Sequence, residues 1–314
     1  MNDSVLMLAL AAAIASGTPL VFATVGEVLA ERSGVLNLGV EGMMLVGAVS
    51  GFWATYQTGS LWLGVVAALA AGAAVSVLHA VPAISLGVNQ IVSGLALAIF
   101  GAGLSTFIGR ATSPPLVGQP PRAAFSPLLG EGPAALPLVG PLLFGHDAFV
   151  YLSWVLVAAA SYYLFRTRPG LAARAVGEDP ASADAAGLPV RRIRYLHVLA
   201  GGAAAGAGGA YFSLALVPSW QDGITAGAGW IAIALVIFSS WRPWRALFAA
   251  YLFGAVTRLN FTLQTLGARV PAELLAMLPF LLTIVVLILV TSGRRARLLG
   301  APEALTLAFR REER

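Results

Sequence analysis

Apolar runs of roughly 20 residues recur along this chain, and they constrain its fold more than any other feature. About 20 residues of helix span the hydrocarbon core of a bilayer, where only helices and closed barrels satisfy every backbone hydrogen bond. The runs are too long and too continuous for the two-residue alternation of a barrel strand. The sequence therefore predicts an all-α polytopic membrane protein.

The composition agrees with this prediction and excludes several kinds of chemistry. Only 11% of the 314 residues are charged, against about 25% in a soluble domain, which is too few to cover a water-facing surface. All 19 basic residues are arginine, so the chain has neither a P-loop lysine nor a Schiff-base lysine. Cysteine is absent and the three histidines lack ligand-spaced neighbours, so we expect no metal site, no cofactor and no catalytic residue.

Apolar segments divide the chain, and we expect about nine transmembrane segments, with eight and ten as the bounds. They comprise residues 5–25, 38–56, 61–81, 88–108, 148–165, 193–217, 226–241, 246–261 and 273–291. The seventh has about 16 residues, which is short of a full crossing, so it is predicted to be a short or broken helix. Residues 1–292 then form a transmembrane domain, and residues 293–314 form a cytoplasmic tail.

The arginines predict the orientation of the chain. Six of them lie in a polar insert, residues 166–194, and eight of the 18 prolines lie in a second polar stretch, residues 109–147. Alternating the segments from the insert places fifteen arginines on its side of the membrane and four on the other. The positive-inside rule then predicts a cytoplasmic insert and C-terminus, an external proline-rich loop and an external N-terminus. Because the arginines flank membrane segments, the pI near 10.1 indicates contact with membrane lipid and not with nucleic acid.

Small residues recur every four positions within residues 201–210, as two ladders offset by one residue. Such spacing lets helix backbones approach closely in lipid. We therefore expect this helix to be central in the bundle, with static packing and gating both open as its role.

Five polar residues lie between the first two apolar segments: Glu27, Glu31, Arg32, Asn37 and Glu41. Glu27 with Glu31 and Asn37 with Glu41 are four residues apart, so each pair is predicted to share a helix face. A charge at membrane depth costs at least about 2.5 kcal/mol, so Glu41 should face protein or water. Two interpretations stay open: a gate or pathway lining, and a cytoplasmic loop in which Arg32 pairs with a carboxylate.

Two further polar groups are candidates for a solute pathway. Asn89, Gln90 and Ser93 begin the fourth segment, where they either hydrogen-bond a polar solute or brace the helix end. Residues 222–230 are rich in glycine and lead into the short seventh segment, either as backbone that lines a solute path or as an external loop. The candidate pathway residues are therefore Asn37, Glu41, Asn89, Gln90, Ser93, Thr225, Gly227 and Gly229.

Three segments together resemble one transporter family. They are GEVLAERSGVLNLGVEGMMLVGA at residues 26–48, GEDPASADAAGL at residues 177–188, and GITAGAGWIAIA at residues 223–234 followed by Trp241-Arg242-Pro243. In this order they resemble the permeases of the branched-chain amino acid and simple-sugar class of ABC importers, most closely the nucleoside-type permeases. The likeness extends over residues 18–292. One departure is Ser239-Ser240, where the resemblance leads us to expect a glycine before the tryptophan.

The resemblance implies a type II ABC importer-like permease bundle in a bacterial plasma membrane. Such permeases work with a second permease chain, identical or homologous, with cytoplasmic ABC ATPase subunits and with an external substrate-binding protein or lipoprotein. The chain would then import a small polar solute with ATP hydrolysed elsewhere, which agrees with the missing P-loop. A nucleoside is the first expectation for the solute, then a simple sugar and then a branched-chain amino acid.

The second of the three segments is similar to the family's coupling helix, which contacts the ATPase in the cytoplasm. Its predicted coupling residues are Gly177, Glu178, Asp179, Pro180, Ala181, Ala185, Ala186, Gly187 and Leu188. Pro180 suits the first turn of a helix and Gly187 its close. Ala181, Ala185 and Leu188 are predicted to share one face, and their small size suits insertion into a cleft of the partner subunit.

Two other functions would suit a polytopic membrane protein. An ion-driven secondary carrier could use an intramembrane carboxylate such as Glu41, although the amphipathic insert speaks against it. A membrane-embedded enzyme would need a spaced cluster of His, Asp or Glu residues or a nucleophile, and the sequence shows no such pattern.

Overall fold

The computed structural model of the chain describes residues 3–129, 136, 140–265, 271, 274–275, 277–291 and 300–309. The helices in this part of the chain are α1 (Asp3–Arg32), α2 (Val40–Thr58), α3 (Leu61–Ala80), α4 (Gln90–Ala111), α5 (Ala148–Arg166), α6 (Arg168–Glu178), α7 (Pro180–Ala185), α8 (Val190–Tyr211), α9 (Ala228–Phe238), α10 (Pro243–Thr265) and α11 (Leu278–Thr291). Single π-helical turns, Val81–Ser85 and Phe212–Leu216, extend α3 and α8, and a third lies at Gly140–Phe144.

The prediction of an all-α membrane protein is confirmed. Five stretches of the described residues are long and apolar enough to cross a bilayer: Met7–Arg32, Leu61–Ser85, Gln90–Ala111, Ala148–Arg166 and Val190–Leu216. The predicted short helix is also confirmed, because α9 is apolar but has only 11 residues, about 16 Å of helix. A total of about nine spans stays a prediction.

Parts of three predicted regions lie outside the described residues. They are residues 130–135 and 137–139 of the proline-rich loop, residues 273 and 276 of the ninth segment, and residues 293–299 and 310–314 of the tail.

The helix α8 lies at the centre of the bundle, as its ladders of small residues predict. It packs against α1, α2 and α3, and more of it is buried than of the other four spanning stretches. An added Cβ would collide with α1 at Gly201, with α3 at Gly206 and with α2 at Gly209. The absence of a side chain at these positions therefore lets three helices approach α8, which supports close packing as the role of the ladders.

The link between α1 and α2 folds back along α1. The amide of Asn37 donates to Glu27 Oε1 at 2.8 Å, five residues before the end of α1 at Arg32. The helix α2 therefore begins inside the bundle, about 8 Å along the axis of α1 from its end. The prediction that Asn37 and Glu41 share a helix face is wrong, because α2 begins at Val40 and Asn37 lies in the link before it.

Candidate functional site

Glu41 joins the start of α2 to the start of α9. Its Oε1 accepts hydrogen bonds from the Thr225 hydroxyl at 2.6 Å and from the Gly227 amide at 3.0 Å, and its Oε2 accepts one from the Gly229 amide at 2.6 Å. A helix leaves such amides unsatisfied at its N-terminus, so the carboxylate caps α9 from another helix. Its charge also meets the positive end of the α9 dipole. We call Glu41, Thr225, Gly227 and Gly229 the Glu41 junction.

Glycine makes the geometry of the Glu41 junction possible. Gly227 precedes α9 with φ +83°, a left-handed conformation that glycine adopts without strain. A Cβ on Gly229 would collide with the backbone of Glu41. Glu41 is 8% exposed and Thr225 is 2% exposed, so the hydrogen bonds lie away from solvent, where losing one leaves a costly unsatisfied group. Half of the predicted pathway residues therefore meet at one buried place.

A cavity of about 450 Å³ lies beside the Glu41 junction. Thr225 forms part of its wall, and Phe212 and Phe280 give it aromatic surface. Thr257 and Arg258 from α10 add polar groups. The volume is within the range of small-molecule sites, about 300–1,000 Å³.

The other four predicted pathway residues contact backbone or a neighbouring side chain instead. Asn89 Oδ1 caps α4 by accepting from two amides of its first turn, and Gln90 Oε1 accepts from an amide of the α1–α2 link at 2.8 Å. The Ser93 hydroxyl lies 3.1 Å from His79 Nδ1, and Asn37 Oδ1 accepts from the amide two residues later. The structure does not bring these residues to the Glu41 junction, and the contacts of Asn89, Gln90 and Ser93 support the bracing role that the sequence left open for them.

The end of α1 is tied to the segment after α9. Glu31 Oε2 accepts a hydrogen bond from Trp241 Nε1, and Arg32 donates to the carbonyls of Trp241 and Ser240 at 3.2 and 3.4 Å. Within the described residues Arg32 forms no ion pair, so backbone carbonyls replace the carboxylate of the loop interpretation. Ser240 and Trp241 have φ +53° and +54°, a region that favours glycine, which gives a physical reason to expect glycine before the tryptophan.

The polar insert, residues 166–194, contains the predicted coupling residues, and we call it the coupling segment. It contains the two short helices α6 and α7. Asp179 caps α7, since its Oδ1 accepts from the amides of Ala181 and Ser182 at 3.0 and 3.2 Å. Hydrogen bonds from the Ser182 hydroxyl and amide hold the pKa of Asp179 below its usual range. Pro180 occupies the first turn of α7, and Gly187, with φ +84°, follows its end, as the sequence predicts.

One face of α7 is open to solvent. Ala181, Ala185 and Ala186 are exposed, whereas Ala183 is 4% exposed and packs against Val176 of α6. Because α7 is fixed by its buried side, its small exposed side chains form a shallow surface that can fit into a cleft of another protein. We call Ala181, Ala185 and Ala186 the exposed face of α7.

Two predicted coupling residues point away from this face. Leu188 was expected beside Ala181 and Ala185, but α7 ends at Ala185, and Leu188 packs against the buried cluster that contains Ala183. The expectation that Leu188 shares a helix face with Ala181 and Ala185 is wrong because α7 ends three residues before Leu188. Gly177 is also buried, at the end of α6, while Glu178 is exposed.

Residues 300–309 fold back onto the coupling segment. The amide of Ala304 donates to the Gly177 carbonyl at 3.0 Å, and the carbonyls of Gly300 and Leu307 accept from arginines of α1 and α8 at 3.2 and 3.3 Å. Sequence reasoning missed this contact and assigned the tail no role. The apolar stretch ALTLAF within an otherwise polar tail was the available signal.

The sequence matches a described transport family over most of its length. The family profile described as "Branched-chain amino acid transport system / permease component" matches residues 9–287. This range contains both the Glu41 junction and the coupling segment.

Three relatives align with nearly the whole chain. "Putative glucose ABC transporter permease protein TsgC13" of Haloferax volcanii is 41% identical over 319 residues, covering 96% of this chain and 97% of the relative. Guanosine ABC transporter permease protein NupQ of Bacillus subtilis is 33% identical, covering 90% of this chain and 92% of the relative. Nucleoside ABC transporter permease protein NupC of Lactococcus lactis is 32% identical, covering 87% and 88%.

Proposed function

This chain belongs to the family of permease components of branched-chain amino acid transport systems, and on that premise we propose that it imports a nucleoside with ATP hydrolysed by a separate subunit. It is an ABC transporter permease, a transport component of the same kind as its relatives. We further propose which solute it carries, which subunits it works with, and which residues dock the ATPase subunit and line the solute path.

The exposed face of α7 is the observation that carries the proposal. A transport subunit without its own ATPase needs a contact surface through which conformational changes of an ATPase subunit reach it. Ala181, Ala185 and Ala186 offer such a surface, and it is held firmly from behind by the packing of Ala183. The ATPase subunit docks there, and residues 177–188 move with α6 and α8, to which they are connected.

The chain works as one half of a membrane pathway. We place it in a plasma membrane with about nine spans, with its N-terminus outside and its coupling segment and C-terminus inside, because arginines accumulate on that side. A second permease chain, identical or homologous, and an external substrate-binding protein or lipoprotein complete the importer.

The cavity beside the Glu41 junction is the part of the solute path that this chain supplies. The half-helix α9 begins there, and such helix starts within a bundle recur beside transported solutes. The rings of Phe212 and Phe280 offer flat apolar faces to a nucleobase. The Thr225 and Thr257 hydroxyls donate to Glu41 and to the Phe253 carbonyl, which leaves their oxygens as acceptors for a ribose. The two nucleoside-transporting relatives favour this solute.

A simple sugar is the second candidate solute. The relative with 41% identity carries glucose in its name, and a sugar ring has the same hydroxyl chemistry as a ribose. A sugar lacks the flat base, so it would use the aromatic faces of the cavity less fully.

The energy source tests the proposal against an ion-driven carrier. Proteoliposomes with the assembled importer, its binding protein and ATP on the ATPase side should take up labelled guanosine. Vanadate should stop uptake, and a protonophore should leave it unchanged. Uptake that survives vanadate and collapses with the protonophore would contradict the proposal and favour a secondary carrier.

The solute is tested by competition in the same proteoliposomes. Unlabelled guanosine and adenosine should inhibit the uptake of labelled guanosine, while glucose should not. Uptake of labelled glucose that nucleosides fail to inhibit would establish the sugar as the solute and overturn the nucleoside.

A further inference from the structure

Two adjoining clefts open between α5 and α10, beside the coupling segment. Their volumes are about 330 and 310 Å³, and they share Ser161, Phe165 and Trp244 in their walls. They contain no residue of the Glu41 junction or of the exposed face of α7. The proposed transport function assigns no role to either cleft.

The charge around the clefts is positive. Arg166 lies at the end of α5, and Arg242 and Arg245 lie at the start of α10. All three are exposed, and in the part of the chain that the structure describes none of them forms an ion pair. No acidic residue lines either cleft, and the start of α10 adds the positive end of a helix dipole. This charge favours an anionic ligand.

The same clefts have the apolar surface of a membrane-facing site. Trp244 is 51% exposed and Tyr162 is 66% exposed, and both residue types are typical of the membrane–water interface. Ser161 lies five residues from Arg166, about 8 Å deeper along α5. It is only 9% exposed, and its hydroxyl has no hydrogen-bond partner among the described residues. A ligand that fits this arrangement has an anionic head, a polar group below it and an apolar body.

We propose that the two clefts bind the headgroup region of an anionic phospholipid of the inner leaflet. The phosphate contacts the guanidinium groups of Arg166, Arg242 and Arg245, and the glycerol ester region accepts a hydrogen bond from the Ser161 hydroxyl. The acyl chains continue along the exposed face of Tyr162. The site rests on the proposed orientation of the chain, which places these arginines at the cytoplasmic surface, and not on the identity of the solute.

Native mass spectrometry of the full-length chain, with the subunits that co-purify with it, tests this site. The delipidated sample is titrated with phosphatidylglycerol and, separately, with phosphatidylcholine. We expect one tightly held phosphatidylglycerol per chain and much weaker phosphatidylcholine binding. The double variant Arg242→Gln, Arg245→Gln should lower phosphatidylglycerol affinity about 30-fold, since each basic residue near an anionic lipid contributes about fivefold.

The matched control is the double variant Arg191→Gln, Arg192→Gln. It removes the same charge from exposed positions of the coupling segment that lie outside both clefts, so the affinity for phosphatidylglycerol should be unchanged. Ser161→Ala should weaken phosphatidylglycerol binding less than the arginine pair does. Millimolar inorganic phosphate should not displace the lipid, because phosphate lacks the apolar body.

The site would be overturned by equal binding of the two lipids, by an equal loss in the control variant, or by displacement by inorganic phosphate, which would indicate a free-anion site. Lipid binding by the chain alone that disappears once a second permease chain joins would also overturn it, because the clefts would then be a subunit interface. Uptake measurements remain separate, so failure here leaves the proposed transport function untouched.

Discussion

The Glu41 junction and the coupling segment differ in where their side chains find partners. At the junction, Glu41 accepts three hydrogen bonds from the segment that starts α9; those from Thr225 and Gly229 are buried, and the one from Gly227 is partly buried. In the coupling segment, Ala181, Ala185 and Ala186 face solvent without a partner in the described residues. The difference indicates that the junction is an internal support, and it supports the proposal that the exposed face of α7 receives another protein.

Removing the Glu41 carboxylate should give the largest effect of any single change. Glu41→Ala leaves three donors without an acceptor and frees the start of α9; the two buried donors, Thr225 and Gly229, each cost about 1–3 kcal/mol when unpaired. We expect a large fall in the thermal unfolding temperature and loss of uptake. Both are measured on the purified, reconstituted protein.

Glu27→Ala is the matched control for this change. Glu27 is 2% exposed, against 8% for Glu41, but accepts one backbone hydrogen bond, from Asn37, where Glu41 accepts three hydrogen bonds, so its loss should cost less and leave part of the uptake. Equal effects of the two variants would contradict the special role of the junction.

A charge on the exposed face of α7 should abolish coupling without unfolding the protein. Ala185 is exposed, so Ala185→Arg should change the free energy of unfolding by less than about 0.5 kcal/mol. In a docked interface the same side chain would meet the partner subunit, so uptake should fall about tenfold or more. ATP-dependent uptake and unfolding are measured side by side.

Ala111→Arg is the corresponding control, because Ala111 is exposed at the end of α4, away from the coupling segment. It should transport normally. Normal uptake by Ala185→Arg, or an equal loss in Ala111→Arg, would refute docking at α7.

The third change disturbs the contact between Ala304 and the coupling segment. Its effect should be smaller than the effects of the changes at Glu41 and Ala185. Ala304 is 2% exposed against the coupling segment, so Ala304→Trp overfills this contact at a cost of about 1–3 kcal/mol. We expect more ATP hydrolysed per solute imported, because the coupling segment is held less firmly. Leu307→Trp, at a position 58% exposed in the same segment, should leave the ratio unchanged. Equal ratios in both variants would mean that the tail does not support coupling.

Much of the fold was predictable because membrane helices follow from local sequence. The short α9 followed from an apolar run too short to cross, and the central position of α8 followed from its ladders of small residues. The exposed alanines of α7 followed from a pattern of turn and helix signals within a dozen residues. Each of these features depends on neighbours in the sequence.

The contacts that the sequence could not predict are long-range. Glu41 and Gly229 are 188 residues apart, and the partner of a buried carboxylate depends on which helix end the fold brings to it. One of the two interpretations left open paired Arg32 with a carboxylate, but the left-handed turn at Ser240 and Trp241 presents carbonyls to it instead. Leu188 was misplaced for a local reason, because α7 stops at Ala185 and Gly187, the predicted close of the helix, already separates Leu188 from it.

The most direct test of docking at α7 uses the absence of cysteine from this chain, which makes an added thiol unique within it. Ala185→Cys is labelled with a benzophenone maleimide in the assembled importer and irradiated with and without ATP and vanadate. We expect an adduct between this chain and the ATP-hydrolysing subunit from Ala185→Cys, and no such adduct from Ala111→Cys. Equal adducts from both positions, or an adduct from neither, would contradict docking at α7.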